Sequence, residues 1–330
     1  MKKILNDPVK YTDEMLEGIY RAHGDMVHSI GDDPRCYCVK EKTQGKVAII
    51  TGGGTGHLPL FLGYVGENLI DGCAVGNVFQ SPSAEQIAKL TKELDTGAGV
   101  LYLYGNYTGD IMNFDMASEM CEMDGIQTRS IVGADDVTSN TDPAARRGIA
   151  GIFFLYKCAG AIAAQMGSLD DVLAAAQKAK DVTRTVGFAL SPCIIPEIGH
   201  PNFTLKENEM AMGMGIHGEP GIWNGPVKTA DALAQESIET ILTDMPVGKS
   251  GEVALLVNGL GATSVEELYI LSNSVGKVLE AKGINVYRTF VGEFATSMEM
   301  AGASISLMQV DAVTKSYLDM PVCTPFYCQK

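Results

Sequence analysis

Short apolar runs alternate along the whole chain with longer stretches of helical pattern, and this alternation most restricts what the chain can fold into. The runs are Lys46–Thr51, Cys73–Phe79, Val100–Tyr104, Arg129–Val132, Val186–Leu190, Val253–Asn258, Val286–Val291 and Ser304–Val310. Strands that alternate with helices imply an α/β fold. Polar caps mark the helix starts. Ser83 opens a helix running to Leu94, and Ser168 with Asp171 opens one over 168–180. Thr263 with Glu266 reads as a capping box for a helix ending at Lys282. At 330 residues the chain is long enough for about two domains without disulfide or metal staples. The boundary is expected where a long helical stretch, 148–182, gives way to new strands. That gives an N-terminal α/β domain over 1–183 and a C-terminal α/β domain over 184–330.

Lys and Arg number 25 against 40 Asp and Glu, a net charge of −15. Nucleic-acid binders and proteins of anionic membrane surfaces carry basic patches, so neither partner is expected. No apolar run reaches the ~18 residues of a membrane span. MKKILNDPVKY lacks the apolar segment and cleavage site of a signal peptide. Eight cysteines are scattered without a Cys-x-x-Cys pair, and Cys323 and Cys328 lie in a tail. Reduced thiols in a cytoplasmic protein are expected. With no H-E-x-x-H and no calcium-loop pattern, no metal site is expected, and Asp135-Asp136 reads as a solvated turn.

Glycine is concentrated at Gly52–Gly56, Gly213–Gly221 and Gly259–Gly261. Ligands of open α/β sheets bind beyond the carboxyl ends of strands, so loops that follow apolar runs draw attention. The first runs Gly52-Gly53-Gly54-Thr55-Gly56-His57. It lacks the Gly-Lys-Ser/Thr of a nucleotide phosphate loop, and Pro59 and Leu60 stand where a dinucleotide motif would place its helix. It reads either as a tight turn or as backbone N–H groups open to an oxygen-rich ligand. The second, Gly105–Asp110, ends in a carboxylate that either caps a helix or accepts a proton. The third, Gly213–Gly221, boxes His217 among residues without bulk, so its imidazole should be approachable. His23, His28 and His200 read as surface positions. None of the three loops contains Lys or Arg, which suits a small uncharged substrate better than a triphosphate.

GGGTGH (Gly52–His57), NYTGD (Asn106–Asp110), RRGIAG (Arg146–Gly151) and GMGIHGEPG (Gly213–Gly221) together resemble the substrate-binding subunit of dihydroxyacetone kinases, in order and over nearly the whole chain. The resemblance implies two α/β domains with mixed sheets, usually assembled as a homodimer. It implies that the ketose is held here, while a separate nucleotide-binding kinase subunit carries ADP or ATP with Mg²⁺. No cofactor is then expected on this chain, and its end at Lys330 leaves the nucleotide part to a partner. The donor would be free ATP or a phosphotransferase-system protein. By the same resemblance His217 would attack the ketone to form a covalent hemiaminal. Asp110 would take the proton of the terminal hydroxyl, and His57 would hydrogen-bond the substrate and assist proton movement. The backbone of Gly54, Thr55 and Gly56 would contact substrate oxygens.

Three positions depart from the usual pattern. Leu58 stands where the family commonly has Glu, Gly105 where it has Lys, and Asn77 where it has Asp. A roomier, less polar rim is expected at Gly105. YGNYTGD, GHLP and GNVFQSPS resemble the branch that phosphorylates four-carbon ketoses such as erythrulose. The alternative within the family is a non-catalytic, ketose-sensing co-regulator, which would be expected to lack the covalent histidine.

Overall fold

The computed structural model describes residues 2–330. Runs that are apolar at every position become central strands, because a strand covered by helices on both faces has no wet side. The two runs that contain an arginine, Arg129–Val132 and Val286–Val291, lie at sheet edges. In chain order the elements are α1 (Tyr11–His23), β1 (Val27–Ile30), β2 (Asp33–Val39), β3 (Ala48–Thr55), β4 (Gly72–Val78), α2 (Ala84–Leu94), β5 (Val100–Gly105), α3 (Thr108–Glu122) and β6 (Thr128–Gly133). Then come α4 (Ile152–Ala164), α5 (Leu169–Asp181), β7 (Thr183–Ala189), β8 (Glu209–Met212), β9 (Trp223–Pro226), α6 (Ala230–Asp244) and β10 (Glu252–Gly259). The last are α7 (Val265–Ala281), β11 (Asn285–Gly292), β12 (Gly302–Gln309), α8 (Ala312–Asp319), β13 (Val322–Cys323) and β14 (Cys328–Gln329).

The described residues form two compact units. One contains the chain up to Gly133 with Leu155–Lys178 and Ser316–Lys330, the other Ala134–Phe154 and Ala179–Lys315. The chain thus crosses between them several times. Residues 183 and 184, where the sequence suggests a single boundary, both fall in β7 of the second unit.

The first unit is built on a six-stranded sheet of order β1-β2-β4-β3-β5-β6. Strands β4, β3, β5 and β6 run parallel, while β1 and β2 pair antiparallel. Every residue of β3 and β5 is buried. Helix α2 starts at a capping box, in which Ser83 and Gln86 satisfy each other's backbone N–H groups.

The second unit has a six-stranded sheet of order β11-β10-β12-β7-β8-β9, parallel only between β10 and β11. Its core joins Val186, Leu255, Val257, Ile305 and Leu307 of the sheet to Ile238, Ile241, Leu268 and Val275 of α6 and α7. The two mixed sheets are those of the expected α/β class. Helix α7 is capped one residue later than the sequence suggests. Ser264 and Glu267 form the box, while the Thr263 hydroxyl donates to Gly302 O at 2.6 Å and accepts from Gly302 N at 2.8 Å.

Asp135 and Asp136 are not in a solvated turn; they are 3% and 0% exposed. Asp135 accepts the backbone N–H groups of Ile149 and Gly151, each at 2.8 Å. Burial pushes its carboxyl up to about 6. Asp136 lies 2.8 Å from Arg147. The pair therefore fixes the RRGIAG segment from within. Among the described residues no helix is long and apolar enough to cross a membrane. No group of three or more described His, Cys, Asp or Glu residues could hold a metal ion.

Candidate active site

In the first unit two neighbouring parallel strands carry the candidate residues. Strand β3 pairs with β5 only from Ala48 to Ile50, opposite Val100–Tyr102. It stays paired with β4 from Ile50 to Thr55. The chain leaves β3 toward β4 and leaves β5 toward β6, so the strand order reverses between β3 and β5. The carboxyl side of such a reversal is where open α/β sheets hold ligands. His57 follows β3 by two residues, and Asp110 lies in the first turn of the helix after β5.

The glycine triplet does not form a loop. Gly52, Gly53 and Gly54 belong to β3, and the protein itself fills the room a side chain would need. A Cβ on Gly53 would lie 2.3 Å from the Phe61 ring, and one on Gly54 2.6 Å from Gln80 N. Only past the strand does the chain turn, at Gly56, with φ of +100°. Thr55 is buried, and its hydroxyl lies 3.2 Å from that of Thr12.

His57 has no exposed surface. Its ring stacks on Phe79 at 4.8 Å and 19°, and meets Phe61 edge-on at 6.1 Å. Both phenylalanines take left-handed backbone, with φ of +67° at Phe61 and +59° at Phe79. Such conformations cost non-glycine residues on the order of 1–3 kcal/mol each and gather at functional sites.

Asp110 is 4% exposed and is the third residue of α3. It is not the cap; Tyr107 holds that position and offers no side-chain bond. A carboxylate in this turn is favoured by the helix dipole. Gly105 closes β5 and is buried. Of the departures from the family pattern, Asn77 has a visible partner, for its side-chain oxygen accepts from Arg35 Nη1 at 2.6 Å.

His217 belongs to the second unit, in the loop between β8 and β9. That hairpin stays zipped by Ile222 N donating to Met212 O at 2.7 Å. Gly213 and Gly218 turn the chain at φ of +78° and +82°. Glu219, two residues after the histidine, folds back beneath it. It accepts from His217 N at 2.9 Å through Oε2, and Oε1 lies 3.0 Å from Nδ1 of the ring. A Cβ on Gly215 would fall 2.1 Å from Glu219 Oε2, so only glycine leaves room for the carboxylate.

Burial pushes the Glu219 carboxyl up. The hydrogen bond and charge of His217, a backbone N–H and the charge of Arg147 outweigh it and hold the group down at about 2. An ionised carboxylate only accepts, so Nδ1 carries a proton and Nε2 is the ring atom left facing away from Glu219. The imidazole is 24% exposed, in accord with an approachable ring. Arg147 braces the loop: Nη2 donates to Gly213 O at 2.9 Å, and Nη1 stands 3.9 Å from Glu219. Its charge is matched by Asp136 and Glu219, and it reaches the third loop from outside, the three loops themselves containing no Lys or Arg.

Sequence reasoning assigned no role to Glu219 or Arg147. The signal for Glu219 was present as a carboxylate two residues from a glycine-flanked histidine. Arg147 is distant in sequence and could be placed only by the fold. Of the other histidines, His28 and His200 are exposed and His23 is partly so.

A protein of Listeria innocua, the "PTS-dependent dihydroxyacetone kinase 2, dihydroxyacetone-binding subunit DhaK", is 41% identical over 328 residues, 99% of each chain. The "D-erythrulose kinase" of Mycolicibacterium smegmatis is 40% identical over 99% of this chain and 56% of its own length. Among solved structures, a dihydroxyacetone kinase operon co-activator superposes with a TM-score of 0.88 at 32% identity, covering 94% of this chain and 96% of that one. The Dak1 domain signature matches residues 17–326, and the chain belongs to the Dak1 family.

Proposed function

We propose that this chain is the ketose-binding subunit of a dihydroxyacetone-type kinase. The observation that carries the reading is the His217–Glu219 pair: a partly exposed imidazole with Nδ1 held at 3.0 Å by a carboxylate. Nε2 attacks the keto carbon and forms an N–C bond. The carbonyl π pair moves to oxygen, which takes up a proton. The positive charge developing on the ring is met by Glu219, toward which the Nδ1 proton moves. The product is a hemiaminal, with the ketose tethered and its terminal hydroxyl presented.

Asp110 takes the proton of that hydroxyl as its oxygen attacks a phosphoryl group. His57 hydrogen-bonds the substrate and assists proton movement, and the backbone of Gly54, Thr55 and Gly56 with Gly105 lines the ketose. Phosphoryl transfer is chiefly positioning, which a covalent tether supplies. Glycerol has no carbonyl to be captured, so the tether also rejects polyols. ATP or ADP with Mg²⁺ resides on a nucleotide-binding partner subunit, and the active form is a homodimer of this chain. The loss of the long side chain at Gly105 favours a tetrulose such as erythrulose.

The experiment is intact-mass measurement of the chain with dihydroxyacetone and with erythrulose, followed by phosphorylation assays with a matching nucleotide subunit. A mass increase equal to one ketose and turnover of erythrulose at least equal to that of dihydroxyacetone are expected. A strong preference for dihydroxyacetone removes the tetrulose part. Ketose binding with neither an adduct nor phosphorylation would instead favour the sensing role suggested by the resemblance to a co-activator.

A further inference from the structure

The hairpin formed by β13 and β14 carries two thiols that the ketose chemistry does not use. Cys323 and Cys328 face each other across it. The backbone of Cys323 is turned the other way: its C=O accepts from Glu67 N at 2.8 Å, and its N–H donates to Glu67 O at 3.3 Å. Thr324 N donates to Tyr327 O at 2.8 Å, making the neighbouring pair the hydrogen-bonded one. The cysteines therefore occupy a non-hydrogen-bonded position, where Cα atoms stand about 4.5 Å apart and side chains come closest. Disulfides span Cα separations of roughly 4.4–6.8 Å. A hydrogen bond to Cys328 raises the Cys323 thiol above its ordinary range, as expected for sulfurs in contact.

Access separates this pair from the rest. Cys36, Cys38, Cys73, Cys121, Cys158 and Cys193 are buried, whereas Cys323 is partly exposed and Cys328 is exposed. Cys323 also borders a cleft of about 410 Å³ lined by Lys40, Glu67 and Asn68. We propose that Cys323 and Cys328 are a thiol–disulfide couple that clamps this hairpin onto the segment following His57. The oxidant is a small-molecule disulfide. Cys328 as thiolate attacks it and releases one small thiol. Cys323 then attacks the mixed disulfide and releases the second, so two electrons and two protons leave the pair as one S–S bond forms. The hairpin already sits on that segment, with the Thr324 hydroxyl donating to Gly63 O at 2.7 Å and a Gly66 Cβ position only 2.4 Å from Cys323 O.

The test treats the full chain with oxidised glutathione, alkylates the remaining thiols and maps the peptides, then compares amide exchange of the oxidised and reduced chains. Two fewer of the eight thiols should alkylate, one peptide should link Cys323 to Cys328, and residues 62–67 should exchange more slowly after oxidation. Cys328→Ser should give no crosslink and no oxidant-dependent change in exchange. A disulfide elsewhere, glutathione left attached at Cys328, or a crosslink without slower exchange at 62–67 overturns the proposal.

Discussion

The two units hold a histidine by opposite means. In the first, His57 is sealed between Phe79 and Phe61, both on left-handed backbone. In the second, His217 stands partly in solvent and is fixed by the carboxylate of Glu219, itself braced by Arg147. Apolar packing sets where a ring lies and says little about its protons. A carboxylate sets the tautomer and stabilises positive charge on the ring. The difference leaves the second ring open to solvent on one side and the first enclosed on every side.

His217→Ala should break the contrast most severely, removing the ketose adduct from intact-mass spectra and lowering turnover by about 10⁴-fold. An adduct that survives this change would refute the covalent role. Asp110→Asn should leave the adduct in place while turnover falls by roughly 10²–10⁴-fold; full activity would remove its role as base. Glu219→Gln keeps the shape but loses the charge, so adduct formation should slow by roughly 10- to 100-fold.

The Glu219 carboxyl lies below its ordinary value of 4.5, at about 2. Its stabilising contribution is therefore complete above about 4.5 and is lost as pH falls through about 2. The stability advantage of wild type over Glu219→Gln should therefore be constant above about 4.5 and shrink away as pH falls toward about 2 in acid titrations of the two. The smallest effects come from two glycines. Gly53→Ala forces a side chain against the Phe61 ring and should cost about 1–3 kcal/mol in thermal unfolding. Gly215→Ala meets only the side-chain ends of Glu219 and Arg147, which must shift to admit it, and should slow adduct formation more than it lowers Tm.

The legible part of the fold was its centre. Strands β3, β4, β5, β7, β10 and β12, interior to their sheets, each correspond to an apolar run, as do the edge strands β6 and β11. The outer pairs β1–β2 and β8–β9 were not read. Asp33-Pro34-Arg35 opens β2 and Trp223-Asn224-Gly225-Pro226 makes up β9; with one side toward solvent, no apolar pattern is required of them. The glycine triplet was read as a loop because its partners, Phe61 and the backbone at Phe79 and Gln80, are non-local. Asp135 and Asp136 looked solvated because the N–H groups and the guanidinium that bury them lie 11 to 16 residues further on. For the site, His57, Asp110 and His217 were visible from their glycine surroundings, but the clamp on His217 depends on side-chain direction that spacing does not convey.

A ring with no accessible surface cannot meet a solute until a neighbour steps aside. Two of the neighbours of His57 are phenylalanines on backbone that side-chain-bearing residues avoid, so the packing that encloses this ring is held at a local conformational cost that the rest of the first unit must offset.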